Sequence, residues 1–199
     1  MPTANNGVDT SKGPVFVHNW RNDVAIDVLG NMDVNADESK TAFKSLKAFM
    51  TGFTPASGDT IDTASYFIDE DNNNPEVTGH AKTIAVTGNT LVGDPACDYL
   101  RHLEQTDATG NDAKTLMRLT YADGTVRTQL ITIENIVFAG GNGNAKSTFT
   151  CTFAYIGKGK LENDTFDAQT NAKKDTSGGT DVKHTTTGGT VGTVTHDAG

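Results

Sequence analysis

Apolar residues are scarce in this chain. Of its 199 residues, 35% are hydrophobic and 7% aromatic, with a single tryptophan. No apolar run approaches the roughly 20 residues that a membrane-spanning helix needs, so none is expected. Cysteine is scarcer still. Cys97 and Cys151 are too few for a disulfide framework. Both sit among apolar neighbours and read as reduced core residues, since a disulfide would require oxidising surroundings. Positive charge is outnumbered, with 16 Lys and Arg against 25 Asp and Glu and a net charge of −9. Such a surface does not favour gripping a nucleic-acid backbone or docking on anionic lipid. It leaves open the passage of nucleic acid that is not held. The first 13 residues are polar, with no apolar core, so no signal peptide is expected. The chain reads as a soluble product of the cytoplasm.

What is abundant is glycine, 21 residues, together with Thr, Asn and Asp. That composition favours turns and short strands over long helices, and the length suits one core. One helix is nevertheless strongly marked. Asp94 can cap the free N–H groups of a first turn that opens with Pro95. Ala96, Tyr99, Leu100 and Leu103 then recur on one face. Before it, residues 83–87 alternate polar and apolar as a half-buried strand, punctuated by Gly88 and Asn89.

The remaining segments read as further strands around that helix. Residues 15–17 and 24–28 form two, with Val24, Ile26 and Val28 on one face and Asp27 on the other. Residues 61–69 form the next and end in an acidic hairpin tip, 69–76. Residues 115–121 and 126–138 flank Asp123-Gly124, a strong hairpin signal. Residues 148–156 alternate cleanly, with Phe149, Cys151, Phe153 and Tyr155 opposite Thr148, Thr150, Thr152 and Ala154. The segment 31–59 is too long for an idle connection. Within it Phe43, Leu46, Phe49, Met50 and Phe53 recur at helical spacing. They predict a short helix that either packs on its own core or presents Phe43, Leu46, Phe49 and Phe53 to a neighbouring subunit.

Motifs for chemistry are near misses. Residues 140–147 resemble a phosphate-binding loop, but Ala145 precedes the lysine and a strand pattern follows. Asp69, Asp71 and Asn73 mimic the start of a calcium loop whose sixth position is Asn74 and twelfth His80, where Gly and Glu are needed. The five histidines have no ligand spacing, and no serine sits in a nucleophile elbow. No catalytic residue, metal or cofactor is implied.

The stretch 77–105 carries a resemblance. Its Thr-Gly, Lys, Val-Thr-Gly-Asn and Gly-Asp-Pro-Ala pattern resembles the major tail tube proteins of long-tailed, siphovirus-type bacteriophages, and it extends weakly over 15–158. The resemblance implies a mainly β fold: sandwich or barrel-forming sheets with one main helix, a long loop after the second strand, and terminal extensions. The parts would be an arm, 1–13, a domain, 14–159, and a polar Thr/Gly-rich extension, 160–199. It further implies hexameric rings stacked into a tube around a tape measure protein. Tail terminator and distal tail proteins would stand at the ends, and the virion tail would deliver the genome. In such a ring Asp62, Asp69, Glu134 and Asp27 are expected to line an acidic lumen. The alternative is a free β-sandwich module that binds carbohydrate or a receptor, for which one Trp and four Tyr supply few stacking platforms.

Overall fold

The computed structural model describes residues 15–63 and 75–163, and beyond them the backbone of two short strands. The chain divides into two units, Met1–Asp164 and Thr165–Gly199. In the first unit the strands run β1 (Asp23–Asp27), β2 (Phe43–Ser45), β3 (Met50–Ala56), β4 (Asp59–Asp62), β5 (Glu76–His80) and β6 (Thr83–Asn89). The helix α1 (Pro95–Gln105) follows, then β7 (Lys114–Thr120), β8 (Val126–Gly140) and β9 (Thr148–Glu162). In the second unit β10 (Phe166–Asp167) pairs antiparallel with β11 (Ala172–Lys173).

Seven strands form one antiparallel sheet in the order β2-β1-β7-β8-β9-β6-β3. Its two edge strands, β2 and β3, are neighbours in sequence, separated by residues 46–49 alone. So short a link curls the sheet until its edges approach each other. The inward face then closes around a core that includes Ile26, Met117, Ile131, Phe149, Phe153 and Val86. The helix adds Ala96, Cys97, Leu100 and Leu103 to it. Its start follows from the residues: Asp94 accepts the N–H groups of Ala96 at 3.0 Å and Cys97 at 3.1 Å. Both cysteines are buried and free.

The segment 31–59 departs from its reading. No helix spans 43–53. Leu46 and Phe49 turn a corner in which Met50 donates its N–H to the Leu46 carbonyl at 2.9 Å. The chain then runs out as β3. Thr51, Gly52, Thr54 and Pro55 explain this outcome, because each disfavours a helix interior. The i, i+3 spacing of the apolar residues comes from a corner folded under the sheet. The irregular connection that remains, residues 28–42, is shorter than expected.

Three other boundaries shift. Residues 15–17 join no strand; Val15, Phe16 and Val17 are exposed ahead of a 3-10 turn, Asn19–Arg21. Gly88 lies inside β6, where a Cβ would collide with the Phe49 carbonyl and the Phe149 ring. The last strand does not stop at 157–159 but continues to Glu162. Gly157, at φ 62°, sits at an irregularity in the β8–β9 pairing. There the buried Gln129 amide donates to the carbonyls of Ile156 at 2.7 Å and Gly157 at 3.3 Å.

Candidate assembly surface

Pleating gives β3, β6, β9 and the middle of β8 two unlike faces. Inward, they present Phe53, Val86 and Cys151 in one row, and Ile84, Phe153 and Ile133 in the next. Outward, the paired rows read Ala56–Thr83–Ala154–Thr132, Thr54–Ala85–Thr152–Glu134 and Gly52–Thr87–Thr150–Val137. Within these rows Glu134 is the one ionisable residue. Thr54, Ala85, Thr87, Thr150, Glu134 and Val137 are exposed. The result is a four-strand surface of mostly small residues, half of them threonine. β-Branched threonine suits a pleated face, and its hydroxyl tolerates water.

The other outward face, on β2, β1, β7 and the far ends of β8 and β9, is charged. The row Ser45–Ala25–Arg118–Thr128–Lys160 crosses it. Arg118 stacks its guanidinium on Phe43 at 4.1 Å and stands 3.8 Å from Glu38. Lys160 pairs with Glu162 at 2.7 Å.

The residues singled out from sequence separate accordingly. Glu134 stands on the open threonine face. Asp62 is exposed at the far end of β4, and Asp69 lies outside the described residues. Asp27 is on no wall: it is fully buried. Its carboxylate accepts the N–H groups of Ala42, Asn31 and Leu29, so the returning 28–42 connection covers it. Leu46 and Phe49 are also interior. Leu46 is fully buried, and the Phe49 ring packs 5.3 Å from Phe149. The expectation that they face a neighbour fails on burial, whereas Phe43 and Phe53 stay partly accessible.

The glycine-rich segment 140–147 is a hairpin loop between β8 and β9, with no helix behind it. Of the calcium-loop mimic, residues 69–74 lie outside the described residues and the rest enters β5. The thiols are ordinary core groups: burial pushes Cys151 up to about 12 and raises Cys97 as well. No helix among the described residues is long and apolar enough to cross a membrane. The threonine face was legible in sequence as the polar half of 83–87 and 148–154. That it forms one surface required the strand order.

No protein-family profile matches this sequence, and no curated protein matches it. Solved structures resemble it to differing degrees. A chain from the tail of an empty GTA particle, obtained by helical refinement with C6 symmetry, matches with a TM-score of 0.50 at 12% identity. The match covers 74% of this chain and 99% of that one. A chain from the virion of a native gene transfer agent particle matches at 0.46 and 14%, over 70% and 95%. One from the PVC sheath–tube complex of an extracellular contractile injection system, in its extended state, matches at 0.47 and 7%, over 78% and 99%. The first of these carries the likeness: this chain has the fold of a protein from a particle tail.

Proposed function

We propose that this chain is a structural subunit of a virus-like tail. Copies join into hexameric rings, the rings stack into a tube, and the tube conducts DNA. The observation that carries this reading is the open threonine face. It spans four strands, its reverse side is the core, and its rows hold a carboxylate and no cation. A free solvated sheet of this width would be expected to scatter charges across its outer surface. Set around a channel, the same face offers a phosphate backbone nothing to bind, because cationic contacts are what hold DNA. The fold shared with a C6-symmetric tail supports the reading.

In this arrangement Glu134 repeats six times around the lumen, with Asp62 the next acidic candidate. Phe43 is the aromatic contact left for a neighbouring copy, since Phe53 packs against the core. A tape measure protein inside, with terminator and distal tail proteins at the ends, completes the set of partners, and the product resides in a virion tail. Negative-stain microscopy of the purified full chain tests the reading. Six-fold rings or tubes support it. A monodisperse monomer at high concentration overturns it.

A further inference from the structure

A basic hollow lies among the described residues. At the base of the β4–β5 hairpin, His80, Lys82, Arg127, Tyr155, Gly157 and Lys158 line a cavity of about 330 Å³. No carboxylate is among these residues. Asp59 stands beside it, paired across the hairpin with His80, whose Nδ1 bonds its carboxylate. The hydrogen bond from His80 holds the Asp59 carboxyl below its ordinary range, and Lys82 acts on it through space as well. Asp59 is therefore engaged. Lys82, Arg127 and Lys158 form no ion pair among the described residues. Arg127 is held in place: its guanidinium lies 5.0 Å from the Tyr155 ring centre and donates to Gln129 at 3.1 Å. Its Nε is shielded from solvent and has no hydrogen-bond partner. An oriented guanidinium that shares a hollow with two lysines is a carboxylate receptor.

We infer that this hollow receives the acidic tip of the same hairpin from a second copy of the chain. The contact rests on the tube reading and deepens it. The tip, within residues 63–75 between β4 and β5, carries Asp69, Glu70 and Asp71 in succession. Charge complementarity selects it. Within one molecule the hairpin ladder runs from Asp59↔His80 at the hollow to Asp62↔Glu76 at the tip end. That is about 10 Å of paired strand leading away. A copy placed head to tail presents its tip to the hollow directly. Base-to-tip contacts of this kind are heterologous and either close a ring or propagate as a stack, according to the rotation between copies; the contact proposed is the one between stacked rings. A nucleic-acid backbone fits less well, because it needs an extended run of cations, and this hollow is a single spot on a chain of net charge −9. Asp69 thereby moves from the channel wall to the joint.

Charge reversal tests the contact. K82E/K158E and D69K/D71K are prepared as full chains, checked for a native thermal transition, and followed by sedimentation and negative stain. Each should raise the concentration needed for tubes at least tenfold while isolated rings persist, and high salt should do the same to the wild type. The combined quadruple variant should recover tubes. Wild-type tubes that neither reversal weakens overturn the contact alone. A wild type that forms no oligomer overturns the tube reading and the contact with it. Reversals that lower monomer stability with unchanged tube formation show an intramolecular pair and overturn it too. So does a labelled DNA duplex that binds the wild type near physiological salt and is lost in K82E/K158E.

Discussion

Asp27 and Ala42 stand fifteen residues apart, and the buried carboxylate of one accepts the backbone N–H of the other at 2.5 Å. The same carboxylate also takes Asn31 at 2.9 Å, so one side chain ties both ends of the 28–42 connection to β1. Removing it leaves part-buried donors without a partner, a loss of about 1–3 kcal/mol. Asp27→Ala should lower the denaturation midpoint by that amount, and Asp27→Asn by less, because one acceptor oxygen remains. Equal stability of Asp27→Ala and wild type would show that the connection is not held this way.

The four aromatic and aliphatic residues of 43–53 should divide by burial. Leu46→Ala and Phe49→Ala empty core volume and should cost about 2–5 kcal/mol each. Phe43→Ser should keep a cooperative transition and instead reduce assembly, since buried aromatic anchors commonly contribute about 2 kcal/mol or more to an interface, whereas Phe53→Ser should also cost stability because Phe53 packs against the core. Thermal melts paired with sedimentation velocity separate the two outcomes. Normal tubes from the Phe43→Ser variant would place the subunit contact elsewhere.

Cys151 should make stability fall in alkali. Burial raises its thiol from the ordinary 9.0 to about 12. In the unfolded chain the thiol loses its proton near pH 9, while the folded chain retains it. The contribution is therefore fully present below pH 9 and is lost as pH rises from there toward 12. Urea midpoints measured from pH 7 to 11 should decline above 9, with a shallower slope in Cys151→Ala. Native protein should also resist alkylation at Cys151 until it is unfolded. Rapid labelling under native conditions would contradict the burial.

Glu134 is exposed and its replacement should spare the fold. Glu134→Lys turns the one charge of the threonine rows into a cation, repeated around a ring. Tubes of this variant should retain short DNA duplexes at low salt and release them as salt rises. Wild-type tubes should retain none. Equal retention by both would remove Glu134 from the wall.

Legibility tracked how local each signal was. The Asp94-Pro95 cap and the apolar face behind it lie within four turns of chain, and α1 follows them. The alternation of 148–156 needed only a pleat, and β9 keeps it. Glu134 was readable because its neighbours Ile133 and Thr132 alternate with it. Asp27 was not: its strand alternates too, but the 28–42 connection returns over its polar side and buries it. Leu46 and Phe49 misled for a related reason. Their helical spacing is real, yet the corner that joins two distant sheet edges produces the same spacing. The Thr54–Ala85–Thr152–Glu134 row draws on four strands spread over the chain, so no single window of sequence displays it.

If copies of this chain close into a tube, the threonine face forms its inner wall. A cryo-electron microscopy reconstruction of the assembled full-length protein measures this directly. Six-fold rings are expected, with Thr87, Thr150, Thr152 and Glu134 facing the lumen and Arg118 and Lys160 away from it. A lumen lined by Arg118 and Lys160, or a particle without a channel, would contradict that arrangement.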